Sequence, residues 1–539
     1  MLKILVSDPL SEEGLEILKR EAEVEVKTNC SEEELSEIIG DYDALFVRSG
    51  TQVTSSLIEK GEKLQVIGRA GVGVDNVDVE TATQRGVMVI NAPEGNTVST
   101  AEHTIAMMSS LARNIPAAHA SMQEGEWGRK KYVGVELNRK TLGLFGIGRI
   151  GGEVGRRARA MGMKLIAYDP HISPERAKKM EVELVNKEEV LQRADFITLH
   201  MPKNNSTHHF IGREELQKVK PGVRLINCAR GGLVDEDALA EALQDGRVAG
   251  AALDVFEEEP LREDSPLKGL ENVVLTPHLA ASTEEAQVNV AIQVAEQGLR
   301  ALQGEPVVSA VNVPSLPPDV LNEIKPYLPL MRILGSFYMQ VYGGFIDEVE
   351  ISYSGEIAEK PLNPLTSSCL IGILQVMLGE EINFVNAPHI AKSRGIRIKE
   401  LRSSTIENYA SLITLKVKSE GEEYKISGTL FNDFDMRIVK IGEYPVDVTP
   451  YRYMLVCSFI DRPGVIGKVG MLFGDAEINI ASMQVGRKHI GGEGVMVLQV
   501  DDPIPQDLLQ KVKVLDGIVD TDFVEIPEKD LKVPREYDQ

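Results

Sequence analysis

Cysteine is scarce in this chain: Cys30, Cys228, Cys369 and Cys457 are the only four in 539 residues, and they stand far apart. Such spacing excludes a dense disulfide scaffold and offers no metal-ligand pattern, so a reducing cytoplasm is the expected compartment. No run of ~20 apolar residues occurs, which excludes a membrane-spanning helix. The N-terminal Met1-Leu2-Lys3-Ile4-Leu5-Val6 enters a short apolar strand without a signal-peptide layout, and no membrane partner is expected. Positive charge is also in short supply. With 58 Lys+Arg against 82 Asp+Glu the net charge is −24, so the average surface field repels nucleic acid, and an anionic substrate needs a local basic pocket. Apolar residues, in contrast, make up 43% of the chain, enough to bury sizeable cores, and the length predicts three or four of them.

Short apolar runs at 3–6, 43–47, 64–68 and 87–91 alternate with helical patterns such as 11–20. A second series, at 141–145, 164–168, 195–200, 224–227, 250–255 and 273–275, predicts a roughly six-stranded doubly wound parallel sheet. After a long helical pattern at 282–302, Val313-Pro314-Ser315-Leu316-Pro317-Pro318 breaks the chain and marks the end of this unit. Residues 346–415 lack nucleotide-type glycine loops, and 422–440 reads as strands and turns. From about 452 the pattern is strand, an Asp461-Arg462-Pro463-Gly464 turn, helix, strands and a second helix, as in a small α+β module.

The run at 141–145 leads into Gly146-Ile147-Gly148-Arg149-Ile150-Gly151 and a helix. In this strand–turn–helix context the first glycine permits the tight turn and the second lets the backbone approach a pyrophosphate. The third lets helix pack on strand, with the helix N-terminus facing the phosphates. The next strand ends in Asp169, close to the ~20-residue offset of a ribose-binding acid, which favours NAD over its 2′-phosphorylated form. Glycines that serve packing alone are the structural alternative.

Hydride transfer to a carbonyl needs an acid/base for the oxygen and a cation for the substrate carboxylate. Both belong at the C-terminal strand ends, where open α/β sheets bind ligands. Three such ends carry Cys228-Ala229-Arg230-Gly231-Gly232, Glu257-Glu258-Glu259-Pro260 and Thr276-Pro277-His278. Arg230 is the candidate to bind and polarise the substrate, His278 to transfer the proton, and Glu259 to orient His278 and favour its charged form. Singly, each has a plain alternative: the acidic run could be a solvated turn and the histidine a structural one.

Residues 146–151, 227–232, 254–260 and 276–283 resemble the signatures of the D-isomer-specific 2-hydroxyacid dehydrogenase family, over residues 1–312. That resemblance implies a catalytic Arg230, Glu259 and His278. It also implies NAD held by Gly146, Gly148, Arg149, Ile150, Gly151, Asp169, Cys228, Arg230, Asp254, His278 and Ala281. It predicts a discontinuous substrate domain, 1–92 with 284–312, around a nucleotide domain, 93–283.

In the first domain Arg48 ends one strand, and Arg69-Ala70-Gly71-Val72-Gly73 ends another, where exposed N–H groups of Val72 and Gly73 can hold a carboxylate. With Asn96 across the cleft, these segments resemble the members that oxidise 3-phospho-D-glycerate with NAD in L-serine biosynthesis. The substrate set is then Arg48, Val72, Gly73, Asn96, Arg230 and His278, with Arg48 meeting the phosphate and Arg129, Lys130 or Lys131 near Trp127 assisting. Some relatives carry a second arginine where this chain has Gly50.

Residues 452–526 resemble an ACT domain, a small-molecule-sensing module that pairs with a copy on another subunit. Asp461 and Asn479 are the positions that hold L-serine in serine-sensing members, and Phe459 stands where some carry histidine. Residues 317–445 resemble the intervening domain of long-form members, with Lys392, Arg394, Arg397 and Lys399 as either an anion site or a solvated basic face. The expected whole is α/β: a doubly wound Rossmann-type nucleotide domain and a flavodoxin-like substrate domain, then two smaller α+β domains, the last ACT-like. It is expected to be a homo-oligomer joined through catalytic and ACT domains and regulated through the latter. Oxidation of another D-2-hydroxy acid, or dinucleotide sensing without catalysis, are the rival functions.

Overall fold

A computed structural model describes residues 1–305, 307–314, 318–405, 408–432 and 434–532. Residues 315–317 of the proline-rich break, and with them the first residue of the expected third domain, lie outside the described residues.

Five parallel strands form the first sheet, in the spatial order Ala22–Val26, Leu2–Val6, Ala44–Val47, Val66–Arg69, Met88–Ile90. This is the flavodoxin-type order. Ala22–Val26 is a strand that sequence patterning missed: its Ala-Glu-Val-Glu-Val alternation sits at an edge and lacks the continuous apolar run of a covered parallel strand. Helix Glu284–Leu302, capped by Thr283 accepting from Ala286 N–H, returns to this sheet and puts Val290, Val294, Ala295 and Leu299 into one core with Ile4, Val6 and Phe46.

The second sheet is all parallel, with seven strands in the order Val273–Leu275, Val248–Leu253, Val223–Asn227, Phe196–Leu199, Thr141–Phe145, Lys164–Tyr168, Glu183–Leu184. It holds one strand more than expected, the two-residue edge Glu183–Leu184, which is too short to leave a periodic signal. The order in which successive strands are added reverses between Thr141–Phe145 and Phe196–Leu199, and this switch point opens the crevice that holds the site.

A six-stranded sheet follows, antiparallel except where Glu348–Gly355 pairs in parallel with the edge Arg397–Ser403. Helices Tyr327–Val341 and Asn363–Leu378 cover it and cross at glycines: a Cβ on Gly335 would lie 2.2 Å from Cys369 O, and one on Gly372 2.0 Å from Arg332 O. The last sheet is antiparallel, in the order Ile480–Arg487, Glu493–Val500, Tyr453–Ile460, Ile518–Glu525, with helices Val465–Asp475 and Gln506–Lys513 as its crossovers. Among the described residues no helix is long and apolar enough to cross a membrane.

Candidate active site

A cleft of about 590 Å³ runs between the first two sheets, lined on one side by Val72, Gly73, Asp75 and Asn96 and on the other by Gly148, Arg149, Ile150, Cys228, Arg230, His278 and Ala281. His278 follows the strand Val273–Leu275 in a left-handed conformation, φ 55°, with its backbone N–H held by Asp254 O at 2.9 Å. Its Nδ1 lies 2.7 Å from Glu259 Oε2, and Glu259 Oε1 accepts Phe256 N–H at 3.0 Å. An ionised carboxylate can only accept, so Nδ1 carries the proton and Nε2 is the ring atom left for a substrate. The Glu259 hydrogen bond raises the His278 pKa, against burial and the Arg230 charge, which lower it. For Glu259 burial acts upward, but the bonds from His278 and Phe256 prevail and hold its carboxyl low. An ion pair with a basic histidine is thus favoured.

Arg230 crosses the cleft. Its Nε is 3.2 Å from Asp75 Oδ2, Nη1 donates to Ala229 O at 2.7 Å, and a Cβ on Gly73 would lie 2.1 Å from Nη2. Gly73 is therefore the residue that lets the guanidinium lie against the Val72–Gly73 backbone.

The glycine loop fits a dinucleotide. A Cβ on Gly148 meets nothing within 4 Å, so the backbone there is open to a phosphate. At Gly151 a Cβ would lie 2.2 Å from Gly146 O, and only glycine lets the helix approach its strand so closely. Asp169 Oδ2 accepts Ile147 N–H at 2.9 Å, which ties the end of the second strand to the loop. Facing the loop, Asn96 Oδ1 and Thr100 Oγ1 are buried with no hydrogen-bond partner among the described residues, and a polar ligand would supply one. Beneath, burial pushes His200 down to about 3, so it contributes a neutral floor.

Gly146, Gly151, Asp169 and Glu259 stand behind the cleft lining, and so do Asp254 and Arg48. Asp254 is wholly buried and accepts from Thr276 Oγ1 at 2.5 Å, Leu279 N–H at 2.8 Å and Ala280 N–H at 2.8 Å, with His103 Nε2 at 3.2 Å. Its position organises the His278 turn from below. Arg48 donates its backbone N–H to Asp8 Oδ2 at 2.6 Å and its Nη1 to Pro9 O at 3.5 Å. Arg129, Lys130 and Lys131 do not line the cleft of their own chain; Lys131 faces Glu271 at 3.7 Å. Sequence reading missed Arg69, Asp75 and Thr100. Arg69 is largely buried, which lowers its pKa along with the nearby charges of Arg230 and Arg48.

In the last domain Asp461 accepts from Arg487 Nη1 at 2.5 Å and from Gly491 N–H at 3.2 Å, while Asn479 Nδ2 donates to Asp501 Oδ2 at 2.6 Å. Each of the two expected effector residues thus has a partner of its own. Of the basic cluster Lys392, Arg394, Arg397 and Lys399, the last two converge with Lys418 on Glu348.

Residues 105–280 match the family model described as D-isomer specific 2-hydroxyacid dehydrogenase, NAD binding domain. Residues 323–442 match the D-3-phosphoglycerate dehydrogenase intervening domain, and 453–517 the ACT domain. The chain is 48% identical to the D-3-phosphoglycerate dehydrogenase of Synechocystis sp. over 98% of its own length and 95% of that protein. Against the enzyme of the same name from Methanocaldococcus jannaschii it is 48% identical, over 98% of this chain and 100% of the other. A solved protein structure from Thermus thermophilus superposes with a TM-score of 0.54 at 34% identity, covering 57% of this chain and 100% of that one. With these matches spanning its whole architecture, the chain belongs to the D-3-phosphoglycerate dehydrogenase family and is an NAD-dependent D-2-hydroxyacid dehydrogenase.

Proposed function

We propose that the chain oxidises 3-phospho-D-glycerate to 3-phosphohydroxypyruvate, the opening step of phosphorylated L-serine biosynthesis. The observation that carries this reading is the His278–Glu259 pair, 2.7 Å apart, in one cleft with Arg230 and the Val72–Gly73 backbone. Gly146, Gly148, Arg149, Ile150 and Gly151 would hold NAD, which would supply a hydride acceptor for C2. Arg230 and the N–H groups of Val72 and Gly73 hold the carboxylate and fix C2 in place. His278 Nε2 accepts the hydroxyl proton as the carbonyl forms, and Glu259 stabilises the resulting imidazolium. The C–H electron pair leaves with the hydride and the O–H pair becomes the second C–O bond. Arg48 and Arg69, the latter close enough to Arg48 and to Arg230 for their charges to act on it, supply the local positive field that a phosphate requires on a chain of net charge −24.

The same reading includes a homo-oligomer. Trp127 and Val133 are each 78% exposed, and Trp127 lines one surface hollow with exposed Met122, exposed apolar surface that supports coverage by a second copy. L-Serine is the proposed effector, at Asp461 and Asn479 of paired ACT domains. Four free cysteines support a reducing, cytoplasmic setting.

The test is NADH formation with 3-phospho-D-glycerate, D-lactate and D-glycerate in parallel, with and without millimolar L-serine. Strong preference for the phosphorylated acid is expected. Preference for another acid would redirect the substrate assignment, and tight NADH binding without turnover would favour a sensor.

A further inference from the structure

Arg230 and Glu259 sit on turns that follow neighbouring strands, and ladder pairing of those strands ends at Asn227 with Leu253. Beyond that point the relative position of the two turns depends on loop contacts. The turns touch backbone to backbone: a Cβ on Gly231 would lie 1.5 Å from the Phe256 carbonyl oxygen. A contact so close tolerates no slippage, and one residue from a third loop bonds to both sides of it.

That residue is His209. Its backbone N–H donates to Gly232 O at 2.8 Å, two residues beyond Arg230. Its ring Nε2 lies 3.0 Å from Glu257 Oε1, two residues before Glu259. The ring also stacks on His208, with centroids 4.0 Å apart, and Nδ1 stands 4.0 Å from Asp235 Oδ2. Its φ of 48° is a left-handed conformation that a histidine adopts at some cost, and it persists only where the surroundings over-determine it. Glu257 is fixed from a second direction by a reciprocal exchange with the helix Glu236–Gln244: its carboxylate accepts Glu236 N–H at 3.3 Å, and Glu236 Oε1 accepts Glu257 N–H at 2.6 Å. The turn so anchored then presents Glu259 to Phe256 N–H and to His278. His209 does not line the cleft.

We propose that His209 is a positioning residue for hydride transfer, stapling the Arg230 turn to the Glu257–Glu259 turn so that guanidinium and His278–Glu259 pair keep one spacing. This rests on the reading of Arg230, Glu259 and His278 as the catalytic set. A displacement of a fraction of an ångström between substrate-holding cation and proton acceptor slows the chemical step while leaving the glycine loop, and hence NAD affinity, untouched.

The experiment measures kcat, KM and the deuterium isotope effect with C2-deuterated 3-phospho-D-glycerate in the full-length protein, its His278→Ala variant, His209→Ala, His209→Gln and Glu257→Ala. The His209 side chain is 36% exposed, so its removal opens no core cavity. His209→Ala is expected to lose about tenfold in kcat with KM for NAD within about twofold of the parent, and the isotope effect on kcat should rise as chemistry becomes limiting. His209→Gln, whose amide can donate to Glu257, should recover most of the loss, and Glu257→Ala should reproduce it. Parental kcat in His209→Ala or Glu257→Ala, a loss with the parental isotope effect, or a loss that glutamine fails to recover each overturns the proposal. Near-parental turnover in His278→Ala would instead remove the catalytic reading beneath it, a failure visible separately from the His209 variants.

Discussion

His278 must be neutral at Nε2 to accept the hydroxyl proton in oxidation and protonated to return one in reduction, so the sign of its pKa shift decides the pH dependence. The Glu259 bond raises that pKa, and burial and Arg230 offset it only in part. Oxidation needs the neutral ring. Its kcat/KM therefore falls as pH drops through a value above imidazole's ordinary one, while reduction of the keto acid falls as pH rises through it. Glu259→Gln removes the largest cause, so the acid-side fall in oxidation should move to lower pH and turnover should drop; a profile that stays in place would mean another group controls it. His278→Ala should cost ~10² to 10⁴ in turnover with NADH binding preserved, measured by fluorescence titration. Arg230, Glu259 and His278 could be read together in the sequence because each lies on the turn after a strand of one parallel sheet, and strand ends converge. Arg69 could not. Its segment reads as a source of backbone N–H groups, and only the fold shows the guanidinium turned back over Gly71, where a Cβ would lie 1.6 Å from Nη1. Asp254 carries the same lesson: a strand-end acid reads as a ligand group, yet three donors from the His278 turn and its surroundings occupy its oxygens.

At the scale of elements, legibility followed burial. The central parallel strands are buried on both faces and stand out as apolar runs, whereas the edges Ala22–Val26 and Glu183–Leu184 are half polar, the second being only two residues long. The strand Arg397–Ser403 is an exposed edge too, and its cations looked like a free basic cluster because their counter-charge lies 49 to 51 residues earlier in sequence. Glu348, only 4% exposed, takes Lys399 Nζ and Lys418 Nζ at 2.9 Å each and Arg397 Nε at 3.5 Å. Bonds from Lys399 and Lys418 hold its carboxyl down to about 2. A depressed folded pKa contributes stability that is present above the ordinary carboxylate range and is lost as pH falls towards that value. Glu348→Gln should therefore lower the melting temperature at pH 7, and the parent and variant curves should converge in acid. Equal melting temperatures at pH 7 would show that the three cations are equally well served by water.

Across the whole molecule, the last two domains are less separate than their sequence boundary suggests. One hydrophobic core runs from Leu330, Phe337 and Ile371 of the third domain to Met454, Val456, Val497 and Val524 of the fourth. Gln340 adds two bonds to Glu525, and Arg332 Nη1 meets Asp530 at 3.0 Å. The catalytic half is built on different cores. Trp127 lies in that half, so if a second copy covers it as proposed, Trp127→Ala should shift sedimentation towards smaller species without touching the tail. Shared core means shared unfolding: calorimetry should resolve one transition for the catalytic half and another for the two C-terminal domains together. NADH at about 100 times its dissociation constant adds roughly 2.7 kcal/mol to whatever binds it, and should raise only the first. Met454 is fully buried where the two C-terminal domains meet, so Met454→Ala, at ~2 to 5 kcal/mol for such a deletion, should lower only the second. If the substitution instead split the second transition in two, the two domains would be unfolding independently; if NADH moved both transitions, the catalytic half and the tail would be one cooperative body.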